Sequence, residues 1–185
     1  MINCLYHNIL RDANNNIQYV EIGSIIRYEI KMSTRAIQFL KQKKIPFEII
    51  KYDHGEKGAE FAAEATGFPL EATVKTLVVD LGEKTYTLVL MPGDRQLSMK
   101  SLAKICGVKR AAMAETRTAK RLSGYLIGGI SPFGTQQKLP VVMEADILIF
   151  DKILINAGQR GTMLKMAPVD IRKALAAKVA VVAKS

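Results

Sequence analysis

Lys75 stands in Val74-Lys75-Thr76-Leu77-Val78-Val79, a nearly continuous apolar run. An ammonium in such a strand must reach a polar environment, because an unpaired buried charge is costly. At the mouth of a pocket it would offer three donors and a positive charge to a phosphate or a developing oxyanion. At a strand end it would instead snorkel to water, and the strand pattern leaves both uses open. The second candidate is Gly128-Gly129-Ile130-Ser131-Pro132-Phe133-Gly134. Adjacent glycines let a ligand approach the backbone closely, and Pro132 fixes its own φ. The loop is expected to be rigid and rich in exposed N–H groups, which can hold an ester carbonyl or a phosphate. An ordinary tight turn leaving a strand fits the composition as well. The third is Gly158-Gln159-Arg160-Gly161, where a guanidinium between glycines suits either anion binding or a solvated surface turn.

Several chemistries lack their residues. No stretch matches the phosphate-binding loop that ends in Gly-Lys-Ser/Thr, and the glycine-rich segment is not GxGxxG. There is no GxSxG. The sole histidine after residue 32 is His54, so a serine or cysteine triad could run only through it. Cys4 and Cys106 form no CxxC, and His7 and His54 are equally isolated. A zinc centre of about four close N or S ligands is not expected, nor is any other metal or cofactor. Low cysteine use fits a reducing cytoplasm.

The charge has a direction. The chain of 185 residues has 27 Lys+Arg against 17 Asp+Glu, a net charge of +10. Between Arg95 and Arg121 stand Arg95, Lys100, Lys104, Lys109, Arg110, Arg117, Lys120 and Arg121 against Glu115 alone, a local surplus of +7. This stretch is either a solvated helical face or a footprint for a phosphate backbone. Sparse aromatics and the absence of tryptophan favour backbone docking over base stacking. Hydrophobic content of 49% excludes a disordered polycation. No apolar run is long enough to cross a membrane as a helix.

The elements that must position these residues read as α/β. Ser33 or Thr34 caps a helix over 35–44 that Pro46 stops, and 47–52 alternates as a strand. A short helix over 59–66 closes at Gly67. Residues 74–81 and 85–91 form a β-hairpin around Gly82-Glu83-Lys84. Ser98 caps a helix ending at Gly107, and another over 115–123 ends at Gly124. Strands are expected at 125–127, 141–144, 147–150 and 153–156, and Pro168 opens a last helix reaching about Lys178. Met91, Met99, Met113, Met143, Met163 and Met166 read as core filler. Residues 1–31 have no net charge, and Met32-Ser33-Thr34 resembles a natural start. They read as an accessory extension or a translation-start artefact preceding a single domain over 32–185.

Taken together, these residues resemble the bacterial YbaK/EbsC family of aminoacyl-tRNA deacylases, related to the editing insertion of prolyl-tRNA synthetases. The resemblance spans about Ser33 to Lys178. It rests on Lys44-Ile45-Pro46-Phe47, Tyr52-Asp53-His54, Val74-Lys75-Thr76-Leu77, the run from Gly124 to Gly134, and Gly158-Gln159-Arg160-Gly161. It implies a mixed, mostly antiparallel β-sheet curled into an irregular barrel with peripheral helices. It also implies hydrolysis of the ester joining a wrong amino acid to tRNA, typically cysteine on proline tRNA, in the cytoplasm. Alanine or another small residue is the alternative substrate, and a non-catalytic binder of tRNA or of a synthetase is the alternative class.

By that resemblance Lys75 matches the essential lysine, Tyr52, Phe61 and Thr76 match pocket positions, and Gly128-Gly129 matches the loop packed against substrate. Ile130, Ser131, Pro132, Gly158 and Arg160 complete the expected binding set. Lys100, Lys104, Lys109 and Arg110 are the expected tRNA-docking residues, with prolyl-tRNA synthetase as a second partner. The substrate's own thiol is expected to attack its ester, with Lys75 orienting the terminal phosphate or ribose, backbone N–H groups near Gly129 to Ser131 holding the carbonyl, and pocket shape excluding proline. One position departs: an acidic residue often found two places after the GxRG loop is here Met163.

Overall fold

The computed structural model describes residues 19–22, 25–28, 34–53, 55 and 58–184. It divides the chain into two units, Met1–Ser33 and Thr34–Ser185. In the first, β1 (Tyr19–Ile22) and β2 (Ile25–Tyr28) pair antiparallel. His54 lies outside the described residues.

Local signals set the helix boundaries of the second unit. Helix α1 (Arg35–Gln42) begins at Thr34, whose hydroxyl accepts the Ile37 N–H at 3.2 Å and donates to the Ala157 carbonyl at 2.5 Å. The cap therefore fixes both the helix start and its seat on the sheet. Helices α2 (Ala59–Thr66), α3 (Met99–Cys106) and α4 (Thr116–Ser123) each end on a glycine, Gly67, Gly107 and Gly124, in the left-handed conformation. Helix α5 (Pro168–Leu175) carries Pro168 in its first turn. It ends earlier than the pattern suggests, because Ala176 turns left-handed at φ 49° and releases Lys178 into a strand.

The strands are β3 (Glu48–Lys51), β4 (Thr73–Gly82), β5 (Thr85–Pro92), β6 (Ala112–Met113), β7 (Val141–Glu144), β8 (Ile153–Gln159), β9 (Thr162–Met166) and β10 (Lys178–Ala180). Their order is β10-β7-β5-β4-β8-β9-β3, with β6 also on β4. Strands β10/β7, β7/β5 and β4/β8 are parallel, and the other pairings antiparallel. This is the expected mixed α/β sheet with peripheral helices. The path stays open, because its end strands β10 and β3 do not pair.

Two expected strands take other forms. Residues 147–150 fall mostly in a 3-10 turn, Ala145–Ile149, started by the Glu144 carboxylate accepting the Ala145 N–H at 2.9 Å. Its apolar residues do not alternate: Ile147 is buried and Ile149 is 74% exposed. Residues 125–127 enter a turn closed by the Gly129 N–H on the Leu126 carbonyl at 2.9 Å. Strands β6, β9 and β10 were not anticipated. Two are only two or three residues long, and β9 follows a hairpin turn that reads as a loop.

Both faces of the sheet are buried. On β4 and β5, Val74, Val78, Leu88 and Leu90 face one core with Ile37 and Leu40 of α1 and Leu122 of α4. The alternating Val79, Val89 and Met91 face another with Leu102 of α3. Helix α2 covers β8 and β9 through Ala62 against Leu154 and Met163. Burial on both faces explains why these strands read as continuous apolar runs.

Candidate active site

Strand β4 is paired with β5 from Val74 to Gly82, with an irregularity between Asp80 and Gly82, but its other edge is interrupted. Strand β8 pairs with it at Thr73 and Val74, β6 pairs with it at Val79 and Asp80, and residues 75–78 between them have no strand partner there among the described residues. The Val78 carbonyl on this edge accepts the Ala114 N–H at 3.0 Å. Thr76 lies two residues away, so its N–H and C=O point to the same open edge.

A pocket of 530 Å³ occupies this interruption, walled by β4 from Val74 to Val78, by α2, by the β6–α4 segment and by the 127–130 loop. Lys75 lines it, and its ammonium donates to the Gly93 carbonyl at 2.8 Å. That acceptor resolves the conflict of a lysine in an apolar strand, with the side chain neither buried alone nor snorkelling free. Thr76 also lines the pocket, and its hydroxyl oxygen is buried with no hydrogen-bond partner among the described residues. Tyr52 forms another wall, and burial pushes its phenol up against a smaller opposing pull from the Gly161 backbone. Phe61 stands behind it, the rings 6.2 Å apart and tilted by 51°.

The glycine-rich loop contributes Gly128 and Ile130 to the lining. Gly129, Ser131 and Pro132 are buried behind it rather than facing it. The Gly129 N–H, expected to hold a ligand, is spent on the Leu126 carbonyl. Among the described residues the Gly128 and Ile130 N–H groups have no acceptor. Both loop ends are pinned. The Tyr125 hydroxyl donates to the Phe133 carbonyl at 2.7 Å, and the Arg35 guanidinium lies 4.7 Å over the Tyr125 ring while donating to the Gly124 carbonyl at 2.6 Å. Burial pushes the Tyr125 phenol up, only partly offset by Arg35, which keeps it the donor.

Gly158 and Arg160 stay outside the lining. Gly158 has φ 91°, and a Cβ there would meet Tyr125 Cε1 at 2.5 Å, so only glycine fits. The Arg160 guanidinium is turned onto the glycine loop, Nε and Nη2 both donating to the Ile127 carbonyl at 3.1 and 2.7 Å. Lys100 and Lys104 on α3, with Lys109 and Arg110 beyond it, are exposed and none lines the pocket. The last two precede the Met113–Ala119 wall.

Sequence reading missed Glu60, Ala114, Thr116, Ala119 and Asn156 in the lining. Asn156 carried a signal, being a lone amide in the apolar run from Ile153. Its side chain donates to the Gly128 carbonyl at 3.3 Å and accepts the Gly158 N–H at 2.8 Å. Met113 is not core filler: it is 51% exposed at the pocket, because the two-residue β6 leaves its side chain outside either core. Met163 is 3% exposed and supplies apolar wall. Among the described residues, the lining has no cysteine, serine or histidine, and no three His, Cys, Asp or Glu side chains converge to hold a metal.

Comparison with known proteins identifies the family. Residues 54–174 match the family of the aminoacyl-tRNA editing domain. The chain is 31% identical over 141 residues to EbsC of Enterococcus faecalis, named provisionally as a Cys-tRNA(Pro)/Cys-tRNA(Cys) deacylase, covering 75% of this chain and 85% of that one. It is 23% identical over 133 residues to the proline–tRNA ligase of Burkholderia cenocepacia (strain HI2424), covering 69% of this chain but only 23% of the ligase. The fold is shared with a crystal structure described, again provisionally, as a trans-editing enzyme for prolyl tRNA synthetase. That match has a TM-score of 0.75 at 24% identity and covers 82% of this chain and 96% of the other. The chain belongs to the aminoacyl-tRNA editing domain family, and its activity class is that of an aminoacyl-tRNA deacylase.

Proposed function

We propose that this chain removes cysteine from mischarged proline tRNA, hydrolysing the aminoacyl ester in the pocket beside β4. One observation carries the reading: Lys75 and a Thr76 hydroxyl with no partner among the described residues share a lining in which those residues include no cysteine, serine or histidine. Such a site can position and polarise an ester but, among the described residues, offers no serine or cysteine nucleophile and no histidine base to attack it. A cysteinyl substrate brings its own, and the name carried by EbsC points to the same amino acid. Lys75 orients the terminal phosphate or ribose, and the basic face around Lys109 and Arg110 docks the tRNA. Prolyl-tRNA synthetase is the proposed source of the mischarged substrate, in the cytoplasm.

Assaying wild type and Lys75→Ala on Cys-, Ala- and Pro-charged proline tRNA tests this. Wild type is expected to release cysteine fastest and to spare proline, and Lys75→Ala to lose at least about 100-fold of that rate, the order of one lost electrostatic contact in an acyl-transfer site. Fastest release of alanine would select the alternative substrate. Unchanged turnover by the variant would remove Lys75 from the site.

A further inference from the structure

The geometry points to Arg160 as a positioning residue that fixes the Ile127–Gly128 peptide, so that the Gly128 N–H is the oxyanion donor of the pocket. This rests on the deacylase reading above. The composition of the loop around Arg160 suggests a phosphate receptor, yet both its Nε and Nη2 donate to one backbone carbonyl, that of Ile127. Peptides here are trans, and in a trans unit the C=O and the following N–H point in opposite directions. Arg160 lies outside the pocket lining, whereas Ile127 and Gly128 belong to it. With its carbonyl drawn toward Arg160, this peptide directs the Gly128 N–H away from the guanidinium and toward the cavity.

Its surroundings set this donor apart from the Gly129 N–H, and the Arg160 contact sets it apart from the Ile130 N–H. The following peptide is held in a different sense: the Gly128 carbonyl accepts from Asn156 and the Gly129 N–H is consumed by Leu126. The Gly128 N–H has no acceptor among the described residues. The loop is also seated tightly, since a Cβ on Gly129 would lie 3.3 Å from the Arg160 backbone nitrogen. A cation on the carbonyl polarises the whole peptide and strengthens its N–H as a donor. In the reaction, the substrate thiolate or a water adds to the ester carbon, and the carbonyl electron pair moves onto oxygen facing the Gly128 N–H. Collapse restores the carbonyl and breaks its bond to the ribose oxygen, which leaves carrying the proton lost by the nucleophile.

The test pairs single-turnover deacylation of Cys- and Ala-charged proline tRNA with binding of uncharged tRNA across a KCl series. Wild type, Arg160→Lys and Arg160→Gln are compared, and thermal unfolding monitors the fold. Removing an oxyanion donor typically costs about 100- to 1000-fold in rate. Arg160→Gln is expected to fall about 100-fold, and Arg160→Lys, which keeps the charge and one donor, about 10-fold, with tRNA affinity and its salt dependence held at wild-type values. A wild-type rate constant in a folded variant overturns the assignment. So does weaker tRNA binding with a salt slope shallower by about one, which marks a phosphate contact. If Arg160→Gln unfolds, Arg160→Lys alone decides by the same criteria. A wild-type protein that releases nothing from either charged tRNA overturns the deacylase reading itself, and this assignment with it.

Discussion

The Thr76 hydroxyl opposes folding where it stands. A buried hydroxyl with no partner costs about 1–3 kcal/mol relative to an apolar group of the same shape. Thr76→Val keeps the branched outline and removes the orphan, so its effects on stability and activity should have opposite signs. We expect stability to rise by about 1 kcal/mol in thermal unfolding. We expect kcat/KM on the charged tRNA to fall about 10-fold, as for a single lost hydrogen bond to substrate. Equal or higher kcat/KM would mean that the hydroxyl meets nothing in the reaction. Of the residues involved, Lys75 was legible in the sequence because an ammonium in an apolar strand is a local conflict. Thr76 was legible only through the family resemblance, since threonine is an ordinary strand residue and its burial is set by neighbours far along the chain. Arg160 was legible as a cation but not in its use, because loop composition does not say which carbonyl a guanidinium meets.

Among the elements, the β4–β5 hairpin shows how propensity and tertiary demand diverge. Its two-residue turn holds Glu83 at φ 52° and Lys84 at φ 57°, both left-handed and neither glycine. Turns of this sort favour Asn-Gly, and non-glycine residues there cost of order 1 kcal/mol each. The double variant Glu83→Asn/Lys84→Gly is expected to raise the unfolding midpoint by about 2–4 °C, as for about 1 kcal/mol in a domain of this size. The turn lies outside the pocket lining, so deacylation should be unaltered; a lower midpoint would show that the present turn is already favourable. The strong elements were readable for stated reasons. Capped helices such as α2 and α3, bounded by glycine, and the long apolar strands β4 and β5 carry their signals in sequence. Strand β6 is only two residues long and exists because β4 offers it an edge. The pocket depends on that short strand, so its outline could not be seen before the fold.

At the scale of the whole molecule the decisive quantity is where the +10 net charge sits. The exposed Lys109 and Arg110 lead directly into the β6–α4 wall of the pocket, as does Arg117 on α4. Lys100 and Lys104 ride on α3, which covers the other face of the sheet from α4. Neutralising Lys109 and Arg110 to Gln should reduce the slope of log affinity for tRNA against log salt by about 1.4–1.8, while the same change at Lys100 and Lys104 should have a smaller effect. Titrations of tRNA at several KCl concentrations read this directly, and equal slopes for the two double variants would place the docking face elsewhere.

The interruption along β4 has an evolutionary consequence. The site exists because two neighbouring strands stop short of one another, leaving residues 75–78 without a strand partner on that edge among the described residues. Each additional rung that β8 or β6 forms with β4 would add a hydrogen bond and take space from the substrate. Selection for heat resistance alone should therefore enrich variants that zip the seam shut, and such variants would be well-folded, tightly paired and inert. Activity at this pocket would then be maintained against the gain in pairing that a completed sheet offers.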